Sequence, residues 1–414
     1  MTAQDRRWIA RSMAATGVAT VVSSALGLLL LVVVARWLGP DDNAAFLSIW
    51  GLVFGVASIV GAGDGEIARL AARAAAAGSR APRSVVSVAL LAGLLGVLAT
   101  VVAVLTPWGR GLTSGSPGLL AVILLAPLAV AGQSVVRSSL LGSGDVTSYA
   151  VVVVAEAVVR LAALGLAVWL VAASLPWAVT AVVTGCFGWL AMAGRAARVV
   201  DWARGPLDLA RSGRAFVALA GANGLSALVL TAYPTLVAVV LGGSQGLAVA
   251  FAAITVARLP LVLLGPAQAL VVPVATRMLA RGERDRLGRL RARIAGWSVA
   301  GALGLGGLGY AVGSPAMVVA FGPGYAADPM LPALSLAATC LIGGSLLLCG
   351  LLVAHERYLS VTAIWAVSAA AALLGLVAPI GTAQTRTMAG FALAGVVALA
   401  AAMVGSGRAD RGEA

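Results

Sequence analysis

Residues 254–266 read ITVARLPLVLLGP. They sit inside an apolar run that extends from about Gly246 to Val274. A helix needs roughly 20 apolar residues to cross a bilayer, so the run is long enough to span. Yet it carries an arginine, Arg258, and two prolines, Pro260 and Pro266. An arginine at membrane depth costs about 2.5–3.5 kcal/mol on insertion scales, and such residues mark functional positions by default. Proline removes a backbone donor and frees the carbonyl one turn back. Both features belong to an interrupted spanning helix, which in membrane proteins lines protein or a water-filled cavity.

The rest of the chain has the same character. Of its 414 residues 61% are hydrophobic and only 10% are charged, with a mean hydropathy of +1.03. A soluble domain of that size cannot hide so much apolar surface. The expectation is an all-α polytopic membrane protein, and not an enzyme. All 28 basic residues are arginine. Without lysine there is no Walker A loop and no Schiff-base chemistry. The arginine and alanine excess is that of a high-GC bacterial genome, so the expected location is the bacterial plasma membrane. The sequence pI of about 11.3 could point to nucleic acid. Here the arginines lie in short segments between apolar runs, which is a topology signal, and no nucleic-acid partner is expected. The three cysteines and the single histidine, His355, are not spaced as metal ligands, so neither metal nor cofactor is expected. The first apolar run is too long for the core of a signal peptide and reads as the first span.

Twelve spans are expected, over about 13–35, 44–62, 84–105, 119–136, 148–172, 175–193, 216–241, 246–274, 294–320, 331–353, 360–380 and 388–406. With the N-terminus on the cytoplasmic side, the alternate loops hold nearly all the arginines. The exceptions are Arg36, Arg110 and Arg386 outside, and Arg160 and Arg258 within spans. That asymmetry places both termini in the cytoplasm. Trp37, Trp108, Trp177 and Trp297 fall near span ends, as an interfacial belt requires. The basic stretch 195–215 divides the chain into an N-terminal six-helix lobe, 1–194, and a C-terminal one, 216–414. Such halving is common in transporters.

Three groups of residues could carry chemistry. Arg258 could face a cavity and bind an anion such as a phosphate, because its planar fork stays charged and bonds bidentately. The alternative is a structural arginine paired with a carboxylate from another span. Glu156 and Arg160 are four apart and share a helix face. They form either a packing ion pair or, through Arg160, part of the same anion site. Asp64 and Glu66, in GAGDGEIAR, are candidates for ion coupling at a cavity mouth, or the solvated end of a helix. The arginine-rich segment from Arg277 to Arg293 would attract anionic lipid headgroups at about 1 kcal/mol per arginine.

Four segments resemble a known family. LLLVVVARWLGPDDNAAFLSIWGLVFG, residues 29–55, is similar to the opening of lipid-linked oligosaccharide flippases, whose first helix ends in an ARxLGP-type turn. SLLGSGDVTSYAVVVVAEAVVRL, residues 139–161, resembles their junction between the fourth and fifth spans. VVPVATRMLARGERDRL, residues 271–287, resembles their eighth-span exit. SPAMVVAFGPGYAADPMLPALSLA, residues 314–337, resembles the FGxxY segment before the tenth span. The four occur in the family's order. Asn43-Ala44-Ala45 stands where the family usually has a glycine after the acidic pair. The resemblance is to the polysaccharide branch of the multidrug/oligosaccharidyl-lipid/polysaccharide exporter superfamily. It implies two six-helix lobes around a central cavity and alternating access. It also implies flipping of a polyprenyl-pyrophosphate-linked sugar for cell-surface polysaccharide synthesis, with Arg258 on the pyrophosphate. The implied partners are that lipid-linked glycan and the glycosyltransferases or polymerase of its pathway. Two alternatives stay open: a multidrug or cation efflux antiporter of the same superfamily, and a lipid II flippase.

Overall fold

A computed structural model describes residues 3–113, 115–201, 209–243 and 246–411. The side chains of 3–15, 209–219, 262–263, 265–266, 269 and 410–411 are outside the description. Arg204, the side chains of Arg6, Arg7, Arg11, Arg211, Arg214 and Arg411, and the ring of Pro266 therefore lie outside the description.

The chain forms two compact units, Met1–Leu38 with Ile49–Ala227, and Gly39–Ser48 with Leu228–Ala414. The division falls inside a helix beyond the 195–215 stretch, and ten residues after the first span belong with the second unit.

The N-terminal unit is built from α1 (Ala3–Leu38), most of α2 (Pro40–Val60), α3 (Asp64–Ala76), α4 (Ser84–Leu105), α5 (Pro107–Thr113), α6 (Pro117–Gly142), α7 (Val146–Leu170), α8 (Leu175–Gly185), α9 (Ala193–Val199) and most of α10 (Leu209–Leu230). Its main packings are α1 on α7, α7 on α8, and α4 and α3 on α6. The ARWLGP turn works as its residues require. Gly39 takes φ +78°, a left-handed value open to glycine, and Pro40 starts α2 with its ring-fixed φ. Arginine-rich segments meet here: the backbone of Ala81, beside Arg80 and Arg83, pairs with Val199 and Asp201, beside Arg198.

The second unit continues through α11 (Tyr233–Leu241), α12 (Ala248–Ala257), α13 (Leu259–Leu263), α14 (Gly265–Ala280), α15 (Arg284–Phe321), α16 (Met330–Ala354), α17 (Tyr358–Val377) and α18 (Ala383–Arg411). α16 packs on α15 and α18, and α18 on α17. Where α17 crosses α18, a Cβ on Gly375 would lie 2.5 Å from Cα of Gly390, so the two backbones meet through glycine.

Among the described residues ten helices are long and apolar enough to cross a membrane, and a bent pair makes eleven. The bend, of 75°, separates Ala220–Leu230 from Tyr233–Leu241 in the expected seventh span. The expected eighth span, 246–274, is three short helices, α12 to α14, and none of them alone has the length to cross. The breaks fall at Arg258 and Leu264, as ITVARLPLVLLGP foretells. With no N–H on Pro260 or Pro266 the regular ladder fails. The chain tightens into i→i−3 bonds from Arg258 to Thr255, Leu261 to Arg258 and Leu264 to Leu261.

Other boundaries also move. α6 runs to Gly142 and carries Arg137 inside a helix, where a loop was expected after residue 136. The basic run from Arg277 to Arg293 is helical on both sides of a turn at Gly282, so α15 begins well before the apolar part of its span. Trp177 and Trp297 are exposed, at 49% and 77%, as belt residues should be. Trp108 is buried in α5 and is not a belt residue.

Candidate functional site

The expected pair on α7 forms and is the centre of a larger cluster. Arg160 Nη2 binds Glu156 Oε1, and Gln133 of α6 donates to Glu156 Oε2. Arg160 Nε donates to the Val182 carbonyl of α8 at 3.3 Å. The guanidinium also lies over two rings of α2, 4.9 Å from the centroid of Phe54 and 5.6 Å from that of Trp50. Arg160 is 5% exposed. A buried charge survives only when it is paired and its donors are satisfied, and this one has a carboxylate, a carbonyl and two π-faces.

Glycines make the fit. A Cβ on Gly185 would lie 2.6 Å from Cβ of Arg160 and 2.9 Å from its Nε. A Cβ on Gly188 would lie 2.7 Å from the Glu156 backbone. The close approach to α7 of the end of α8 and of the turn after it therefore requires small residues at both places.

Glu156, Arg160 and Gln133 line a cavity of about 590 Å³ within the N-terminal unit. Arg137 lines it as well, together with the polar side chains of Ser58 and Asn223. Arg137 is four residues beyond Gln133 on α6 and pairs with Asp64 at the start of α3. The other oxygen of Asp64, Oδ1, is buried without a partner. Two ion pairs therefore meet at this cavity, Glu156–Arg160 within α7 and Arg137 with Asp64, which itself lies outside the cavity lining.

Asp64 and Glu66 part company. Asp64 reaches across to α6, whereas Glu66 pairs with Arg69 on its own helix and both are substantially exposed. Sequence reasoning missed Gln133 and Arg137. Their spacing of four residues, on a mostly apolar helix, was a readable sign that they share a face.

Arg258 belongs to the second unit and is not among the residues lining this cavity. It stands at the α12–α13 break. Its Nη2 donates to the Thr231 carbonyl at 3.4 Å, and its Nε is buried without a partner. Thr231 stands at the 75° bend between α10 and α11. One arginine therefore joins the interruptions of two consecutive spans. Among the described residues no group of histidine, cysteine or carboxylate side chains is placed to hold a metal ion.

No protein-family profile matches the chain, and no curated protein sequence does. Solved structures do match. A multidrug resistance MATE family transporter of the MOP superfamily in its inward-facing conformation aligns with a TM-score of 0.66. The alignment has 13% identity over 95% of this chain and 96% of the other. The outward-facing conformation of such a transporter aligns at 0.63, with 13% identity over 97% and 96%. A MOP superfamily transporter from Pyrococcus furiosus, described as having a binding pocket of reverse polarity that suggests a different function, aligns at 0.59. Its identity is 14% over 96% and 94%.

The chain has a MATE-type fold. At these identities the likeness establishes architecture, a multi-pass helical membrane protein. The polysaccharide-branch subtype that the sequence segments resemble is not singled out by these structures. In a MATE-type fold the cluster on α6 and α7 is a polar site inside one helical unit.

Proposed function

We propose that this protein is a membrane transporter that exports a drug-sized amphipathic molecule by alternating access, with Glu156 as its ion-responsive group. The observation that carries this reading is the cavity of about 590 Å³ lined by a nearly buried carboxylate. Pockets for drug-sized ligands measure about 300–1,000 Å³. The inward- and outward-facing transporters of the same fold support a cycle between two states.

The charges suggest how the cycle is gated. Ionised Glu156 holds Arg160 against α2 and α8. Proton arrival on Glu156 removes the charge that holds the guanidinium and leaves Arg160 free to repack. A ligand that prefers one arrangement then shifts the population toward it. Arg137, on the same cavity, forms a second ion pair, with Asp64 behind it.

A second reading, flipping of a pyrophosphate-linked sugar, is favoured by the unused Nε donor of Arg258 and by the flippase-like segments. It has a consequence that efflux lacks: the ligand must be anionic. The deciding experiment uses proteoliposomes with an imposed pH gradient. One arm measures accumulation of a fluorescent organic cation, and the other measures leaflet exchange of a fluorescent polyprenyl-pyrophosphate sugar. Gradient-driven cation movement that Glu156→Gln abolishes supports export. Lipid exchange without cation movement, lost in Arg258→Ala, overturns it in favour of flipping.

A further inference from the structure

We propose that the groove between α17 and α18 is a binding site for one anionic phospholipid. The groove has a volume of about 500 Å³ and lies wholly within the second unit. Its walls are apolar over most of their length, with Ile364 and Val367 from α17 and Val397 and Val404 from α18. Small residues, Ala363, Ala401 and Gly405 among them, keep it open where larger ones would close it. Val367 and Val404 are 52% and 55% exposed, so the groove is open along its side. That shape suits an acyl chain lying between two helices.

One end of the groove is different. Arg357 is the N-cap of α17 and Arg408 lies in the last turns of α18, and both line the groove. The two helices run in opposite directions, so residues 51 positions apart bring their guanidiniums to the same end. Neither makes an ion pair among the described residues. The start of α17 is at that end too, with its first-turn N–H groups and the Ser360 hydroxyl. A helix N-terminus and two guanidiniums are donors of the kind that bind phosphate. Of the nearby acids, Glu356 is exposed and does not line the groove, and the side chain of Asp410 lies outside the described residues.

The charges and the apolar length identify the occupant jointly. A free phosphate would use only the basic end. A neutral lipid would use only the apolar length. The positive-inside distribution expected from the sequence puts Arg357 and Arg408 at the cytoplasmic face, where anionic headgroups attract arginine. The site does not depend on which substrate the protein transports.

The test is lipid retention by the purified full-length protein. Delipidated protein is titrated with dioleoylphosphatidylglycerol, dioleoylphosphatidylcholine or inorganic phosphate and read by native mass spectrometry. The expected result is a single tightly held phosphatidylglycerol. Its affinity should fall about tenfold or more in the Arg357→Gln/Arg408→Gln variant, since two headgroup attractions are lost. Phosphatidylcholine should bind weakly, and millimolar phosphate should not displace the lipid. A photoreactive side chain at Val404 should crosslink to an acyl chain, and this readout uses a protein with both arginines intact. Equal binding of the two lipids, displacement by phosphate alone, or unchanged affinity in the double variant overturns the proposal. So does absence of the acyl crosslink.

Discussion

Arg258 Nη2 and the carbonyl of Thr231 lie 3.4 Å apart, so the break in one span is tied to the bend in the span before it. A carbonyl at a bend has lost its place in a regular ladder, and in a dry surrounding it needs a donor. The guanidinium supplies one at a distance that leaves the bond long, and a long bond is easily exchanged.

If that contact steadies the bend, Arg258→Ala should loosen it locally. Amide hydrogen exchange across residues 228–238 should accelerate in the variant, with about 1–3 kcal/mol of local stability lost from the unpaired carbonyl. Arg258→Lys should restore little, because a single ammonium cannot reproduce a planar fork. Exchange that matches wild type in both variants would show that the bend holds without the arginine.

The Glu156–Arg160 pair should respond unequally to removal of one or both partners. Glu156→Gln leaves a cation 5% exposed without its carboxylate, and breaking a buried pair this way costs about 3–5 kcal/mol. Replacing both, as Glu156→Gln/Arg160→Met, should recover most of that stability while transport stays lost. Thermal unfolding and proteoliposome transport measured on the same preparations separate the two effects. A double variant that transports normally would make the pair structural.

Gly185→Ala and Gly188→Ala should each destabilise by about 1–3 kcal/mol through overpacking. The clash at Gly185 is with Cβ of Arg160, which the α7 backbone fixes, and with the Glu156 carbonyl oxygen at 3.0 Å. The clash at Gly188 is with the Glu156 backbone at 2.7 Å, so neither clash is relieved without moving α7. Both variants should therefore lower the melting temperature, and Gly185→Ala, which displaces Arg160 itself, should impair transport more. Transport impaired no more in Gly185→Ala than in Gly188→Ala, measured beside melting, would remove the link between α8 packing and the cluster.

Asp145 offers a pH test outside the spans. It caps α7, accepting from the Ser148 N–H at 3.1 Å, and pairs with Arg195 at 3.0 Å. Burial pushes its carboxyl upward, but the Ser148 bonds and the Arg195 charge outweigh that and hold it below the usual 3.8. A depressed carboxyl contributes stability above its ordinary value and loses it as pH falls through the lowered one. The expected result is that Asp145→Ala costs about 1 kcal/mol at neutral pH and progressively less below about pH 4. A cost that stays constant down to pH 2 would rule out the ionised cap.

Much of the architecture was legible before any coordinate. Apolar runs of bilayer length mark spans because a lone chain in lipid must satisfy its backbone as helix. Pro260 and Pro266 marked the broken eighth span because proline cannot donate, whatever surrounds it. The pairing of Glu156 with Arg160 followed from helical pitch alone, and so did their common face. What the sequence by itself determined is thus local: where helices start, bend and stop, and which charges on one helix can meet.

Contacts between helices were decided only by tertiary structure. Asp64 and Arg137 are 73 positions apart, and Gln133 and Glu156 are 23 apart. Nothing in a stretch of apolar residues reveals which face meets lipid and which meets a neighbour, because both faces are equally apolar. The choice is made by close packing of small residues, such as Gly185 and Gly188 against α7, and that fit exists only once two helices share the same space.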